Sequence, residues 1–230
     1  MSFAFFASCL ALLFPGHLAR PMGYLAMPKS GHGRGVLVLH AWWGLNGDVR
    51  HFCDRLAKAG FIAFAPDLFQ GKVVTKEEEA KKLVEEHDAH QTQVLAQVNQ
   101  AARFVAGRSG NPGIGVVGFS FGAYYALALS NIDPDNVRAT AVYYGTGQQN
   151  FRLSKSSYLG NFAEHDQFEP KENVAALKSL LKSTGRPFTA YIYPRTGHWF
   201  AEPSVKKAYN KSAAELAWDR TVQFLKKTLE

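Results

Sequence analysis

The 230-residue sequence predicts an α/β class, a mostly parallel central sheet with helices on both faces. Three observations predict it. Short, continuously apolar runs such as Val36-Leu37-Val38-Leu39 and Phe61-Ile62-Ala63-Phe64-Ala65 suit strands buried on both faces. Longer amphipathic stretches of helical period alternate with them along the chain. The run Ile114-Gly115-Val116-Val117 leads through a tight glycine-flanked segment straight into the helix-prone Ala123–Leu129, a strand–turn–helix join.

The elements follow in order. Pro21–Met27 reads as a short edge strand, stopped by Pro28, and Gly35–His40 as the next, fully buried strand. Asp48 is the expected cap of a helix running to Ala59, with Gly60 as its stop. Phe61–Ala65 is a strand closed by Pro66, and Thr75–Val105 is helix in two pieces, broken near His87 to His90. Asn111-Pro112-Gly113 is a turn into the strand that begins at Ile114. Val137–Tyr144 and Ser157–Phe162 are strands, Asn173–Ser183 a helix ending at Gly185, and Phe188–Tyr193 the last strand. A final helix is expected from about Val205 to Leu229.

Composition narrows the function classes. A chain that is 47% hydrophobic and 20% charged can bury one sizeable core as a single domain. Its net charge of +7 comes from scattered bases rather than an arginine-rich run, which reads as solubility and not as a nucleic-acid footprint. Cys9 and Cys53 make no disulfide framework and read as buried thiols. Residues 1–20 form an apolar N-terminal segment, too short to span a bilayer, that reads as a docked strand; residues 21–230 carry the single domain. No Lys or Arg precedes that segment, so a cytoplasmic location is expected, with secretion behind a cleaved signal as the alternative.

The chemistry concentrates at Gly118-Phe119-Ser120-Phe121-Gly122, a Gly-x-Ser-x-Gly pattern between strand and helix. A sharp turn there exposes the Ser120 hydroxyl at the C-terminal edge of the sheet, and the Phe121 amide at the new helix N-terminus can face an oxyanion. The α/β-hydrolase order is nucleophile, acid, histidine, and only His165 and His198 follow Ser120. His198 follows the last strand at the same sheet edge and is the expected base; Asp166, beside His165, is the expected orienting acid, with Glu164 as substitute. Asp133 and Asp135 read as turn residues, as does Asp67. A second oxyanion amide is expected from His40-Ala41-Trp42-Trp43-Gly44. Trp42, Trp43, Phe119, Phe121, Tyr124, Trp199 and Phe200 suggest an apolar acyl or aromatic pocket. The acidic and histidine-bearing run Glu85–His90 lacks His-Glu-x-x-His spacing, so it reads as a solvated helix break; no metal and no cofactor is expected.

Taken together, the His40–Gly44 loop, Ala65-Pro66-Asp67-Leu68, the Ser120 turn, the Asp166 loop and Gly197-His198-Trp199-Phe200 resemble the dienelactone hydrolase family over roughly Gly23 to Leu229. The resemblance implies one α/β-hydrolase domain without a large lid. It also implies Ser120 as nucleophile, Asp166 and His198 as its partners, and the Trp42 and Phe121 amides as oxyanion hole. Three departures stand out. Ser120 replaces the cysteine nucleophile of archetypal members, Ala41 their glutamate, and Glu202 the arginine that holds a substrate carboxylate. Hydrolysis of a small ester or lactone through an acyl-enzyme is therefore expected, with Glu202 disfavouring carboxylated substrates. A non-catalytic ligand-binding protein, or a thioesterase or peptidase on the same fold, are the competing readings. The expected partners are the small-molecule substrate alone, with no nucleic acid, no stable membrane insertion, and a monomer or homodimer.

Overall fold

In a computed structural model, which describes residues 20–111 and 113–230, seven strands form one sheet in the order β1-β3-β2-β4-β5-β6-β7. These are β1 (Gly23–Ala26), β2 (Gly35–Leu39), β3 (Ile62–Pro66), β4 (Ile114–Phe119), β5 (Val137–Tyr143), β6 (Ser157–Ala163) and β7 (Phe188–Tyr193). Only β1 is antiparallel, against β3 at the sheet edge; every other pair is parallel. The expected α/β class, with a mostly parallel sheet, is what the chain forms. The apolar N-terminal segment, including Cys9, lies outside the described residues apart from Arg20.

Among the described residues six helices cover the sheet: α1 (Gly47–Lys58), α2 (Glu77–Asp88), α3 (Gln91–Ser109), α4 (Phe121–Ile132), α5 (Lys171–Ser183) and α6 (Lys211–Leu229). Period-2 alternation divides the core between the two faces. Val36 and Val38 of β2 pack with Val49, Cys53 and Leu56 of α1 and with Ala217 and Leu225 of α6. Leu37 and Leu39 pack on the opposite side with Val94, Val98 and Val105 of α3 and with Leu129 of α4. A satellite cluster joins α5 to the sheet through Leu177, Leu181, Tyr158 and Phe162. Burial of the Cys53 thiol raises its pKa, as expected of a structural cysteine.

Two of the helix starts that differ from expectation do so for the same reason. Asn46, not Asp48, caps α1, its Oδ1 accepting from the Asp48 and Val49 amides at 3.1 and 3.2 Å. Asp48 instead accepts from the Ser204 amide at 2.9 Å, which ties α1 to the turn after His198. The last helix begins at Lys211, with Asn210 accepting from the Ala213 amide, whereas Glu202–Tyr209 close a series of tight turns. In both places an asparagine side chain satisfies the orphan amides of the first turn and fixes the boundary. The expected break between α2 and α3 falls at Ala89 and His90.

Candidate active site

The site grows from the join of β4 and α4. Ser120 sits at φ 48° and ψ −112°, outside the regions that side-chain-bearing residues prefer. Such a residue costs on the order of 1–3 kcal/mol and persists where its surroundings over-determine it. Here the Ser120 amide donates to Tyr143 of β5 at 2.9 Å, and the Ser120 carbonyl accepts from the Ala123 amide at 2.8 Å. Gly118 and Gly122 are required by close approach: a Cβ on Gly118 would collide with the Gly122 backbone, and one on Gly122 with the Leu39 carbonyl. The Ser120 turn is thus wedged between its own helix and strand β2.

From β7 the chain turns back towards Ser120. Thr196 donates its hydroxyl to the Tyr193 carbonyl at 2.7 Å, and the Thr196 carbonyl accepts from the His165 amide at 3.0 Å. These bonds join the β6 and β7 loops. They bring His198 Nε2 to 2.8 Å from Ser120 Oγ and His198 Nδ1 to 2.8 Å from both carboxylate oxygens of Asp166. Both side chains of the His198–Asp166 pair are 4% exposed. Asp166 Oδ1 also accepts from the amides of Phe168 and Glu169, each at 2.9 Å. With Nδ1–H donated to the carboxylate, Nε2 keeps a lone pair for the serine proton.

The other candidate acids and base lie elsewhere. His165 is exposed, 3.2 Å from Glu164. Glu164 accepts from the Arg195 amide at 2.8 Å, and that bond holds its carboxyl below the ordinary value. Asp133 accepts from Asn136, and Asp135 pairs with Lys155 at the surface. Asp67 accepts from the Phe69 and Gly71 amides, a turn residue as expected.

The loop after β2 carries the Trp42 amide. Neither it nor the Phe121 amide donates to a backbone carbonyl among the described residues, so both remain available to an incoming oxygen. His40 at the start of this loop is fully buried, and burial lowers its pKa to about 4, so its ring is neutral. Its Nδ1 lies 2.7 Å from the Ala41 carbonyl, and its Nε2 accepts from the Leu68 amide at 3.2 Å.

An aromatic wall stands beside the histidine. Trp42 stacks on Trp199 with centroids 5.3 Å apart, Trp43 lies 5.3 Å from both, and Phe168 closes over Trp199 and His198 at 4.9 and 5.1 Å. Trp199 reaches this position through a left-handed backbone at φ 64°. Tyr144, also left-handed at φ 37°, places its ring 5.0 Å from His198.

Three expected pocket residues are corrected by their packing. Phe119 is buried against Phe52 and Tyr143, and Phe200 against Tyr144 and Tyr193; both are core. Glu202 does not present a carboxylate to a substrate. It is 3% exposed and accepts from the Tyr144 hydroxyl at 2.8 Å, beside a cavity of about 20 Å³ that has room for about one water. Burial pushes its pKa up to about 8. The sequence assigns no side-chain role to Phe168, Tyr144 or His40, although Tyr144 and His40 each stand at the C-terminal end of a strand, where sites of this fold class collect.

Among the described residues no group of three His, Cys, Asp or Glu side chains is arranged to hold a metal, and no helix is long and apolar enough to cross a membrane. His87, in the acidic run, ties α2 to the loop after β3, its ring nitrogens 2.6 and 2.9 Å from the carbonyls of Leu83 and Leu68.

Comparison with known proteins gives one consistent answer. The model of the dienelactone hydrolase family matches residues 22–229. Protein usf of Aquifex pyrophilus is 29% identical over 223 residues, covering 90% of this chain and 93% of its own. An Aquifex aeolicus (strain VF5) protein provisionally named a carboxymethylenebutenolidase is 30% identical over 221 residues, covering 90% and 94%. A Klebsiella pneumoniae structure, provisionally named a dienelactone hydrolase, superposes with a TM-score of 0.77 at 24% identity, covering 89% of this chain and 92% of that one.

Proposed function

The chain belongs to the dienelactone hydrolase family of carboxylic ester hydrolases, and from that premise we propose that it cleaves a small ester or lactone through an acyl-enzyme on Ser120. The observation that carries this reading is the unbroken relay from Ser120 Oγ through the His198 imidazole to Asp166, with each link at 2.8 Å.

The chemistry follows from those contacts. His198 Nε2 takes the hydroxyl proton as Ser120 Oγ attacks the substrate carbonyl, and Asp166 stabilises the imidazolium that forms. The carbonyl oxygen gathers negative charge, which the Trp42 and Phe121 amides receive together with the N-terminal end of α4. The imidazolium then returns its proton to the leaving alcohol, or to the ring oxygen of a lactone, and leaves the acyl group on Ser120. A water that gives its proton to His198 releases the acid by the same steps in reverse order. Trp42 and Phe168 form the apolar surface beside the reacting carbonyl, with the buried Trp43 and Trp199 packed behind them.

The test is a fluorophosphonate label mapped by peptide mass, with steady-state turnover of a panel of small neutral esters, lactones and thioesters. The label is expected on Ser120 alone, and Ser120→Ala should fold normally while losing at least about 10³-fold in kcat/KM. Label on another residue, or a Ser120→Ala enzyme of unchanged rate, overturns the assignment.

A further inference from the structure

We propose that His40 is a positioning residue for the oxyanion hole: its Nδ1–H pins the Ala41 carbonyl and thereby aims the Trp42 amide at the reacting oxygen. This inference rests on the proposed esterase reading. It begins from tautomer logic. Leu68 donates its amide to His40 Nε2 at 3.2 Å, so that nitrogen carries a lone pair and no proton. The ring is buried and neutral, so its one proton is on Nδ1, which donates to the Ala41 carbonyl at 2.7 Å.

The consequence is geometric. Ala41 and Trp42 share a trans peptide, in which C=O and N–H point in opposite directions within one plane. Fixing the carbonyl towards the His40 ring therefore turns the Trp42 N–H to the other side of the loop. The same carbonyl also accepts from the Gly44 amide, at a longer 3.2 Å, which closes the turn but leaves the plane freer to rotate. Two further contacts make the imidazole a fixed post. Phe69 packs edge-on at 4.8 Å, and Asp67 holds the loop that supplies the Leu68 amide by accepting from Phe69 and Gly71. One chain of bonds therefore runs from the Asp67 turn to the site: Leu68 amide, His40 ring, Ala41 carbonyl, Trp42 amide.

The experiment exploits the two ring positions. An asparagine amide can stand where Nδ1 stands, and a glutamine amide where Nε2 stands. His40→Asn keeps the donor to Ala41 and should retain kcat within about threefold. His40→Gln keeps the contact to Leu68 but loses that donor. It should lose about 10- to 100-fold in kcat with KM little changed, somewhat less than removal of an oxyanion donor outright. A purely structural role would lower the melting temperature of both variants and separate neither from the other in kcat. Equal kcat in the two folded variants overturns the inference while leaving wild-type turnover, and so the esterase reading, intact. Absence of Ser120-dependent turnover in wild type overturns both. Nitrogen-15 spectra of the wild-type protein supply a check that needs no variant: His40 should be the Nδ1–H tautomer, and a proton on Nε2 overturns the proposal even if neither variant folds.

Discussion

The loop after β6 and the turn after His198 each bury a carboxyl group, and the donors that surround the two differ. Asp166 meets three donors: the His198 N–H and the amides of Phe168 and Glu169. Glu202, only four residues from His198 in sequence, meets one donor among the described residues, the Tyr144 hydroxyl, and no cation among them. Asp48, of the same sign, adds to the effect of burial. Asp166 therefore has three N–H donors on its oxygens, whereas Glu202, desolvated by burial, stays protonated until about pH 8. What a buried carboxyl does is set by the donors it finds, not by how close it lies in sequence to the histidine.

The largest effect should come from exchanging the two acids for their amides. Asp166→Asn removes the acceptor that fixes the His198 tautomer, so kcat should fall by about 10³- to 10⁴-fold. Glu202→Gln keeps a neutral group of the same shape and should leave kcat within about threefold. Comparable losses in the two variants would erase the distinction.

Next in size is the effect on stability. Tyr144→Phe removes the only hydrogen bond to the Glu202 carboxyl among the described residues and leaves a buried carboxyl unsatisfied, at a cost of about 1–3 kcal/mol in urea unfolding at pH 6. In the Glu202→Leu background the same change should cost less, because no acceptor is then stranded.

The pH dependence of stability is expected to have a definite sign. Burial raises the folded-state pKa of Glu202 from the ordinary 4.5 to about 8, so the folded protein keeps a proton that the unfolded chain releases. The stability this contributes is complete below pH 4.5 and is lost as the pH rises through about 8, with a limiting slope of about 1.4 kcal/mol per pH unit. Glu202→Gln should flatten that part of the curve. Urea midpoints at half-unit steps from pH 5 to 9 would show it, and parallel curves for the two proteins would contradict it.

The smallest effect concerns substrate charge. Since Glu202 lies behind Tyr144, Glu202→Gln at pH 7 should change the kcat/KM ratio of matched neutral and carboxylated esters by less than about twofold. A larger swing towards the carboxylated ester would mean that the glutamate faces the substrate as an anion after all.

The sequence by itself determined the parallel sheet and the turn at Ser120, because both are local. Continuous apolar runs such as Val36–Leu39 are legible as doubly buried strands, and glycines at positions 118 and 122 are legible where two backbones must nearly touch. The placement of Ser120, Asp166 and His198 in one relay was also within reach. Each follows a predicted strand, and in a parallel sheet all strand ends of one kind meet at one edge. Tertiary structure alone decided which neighbours of those residues face the site. Phe119 and Phe200 flank functional positions, yet their side chains turn into the core, where Phe52, Tyr143 and Tyr193 already surround them. Phe168 and Tyr144, from other loops, stand against His198 instead. Glu202 is the clearest case. Its charge at neutral pH depends on desolvation and on a hydroxyl 58 residues away in the chain, and no local pattern encodes a through-space field.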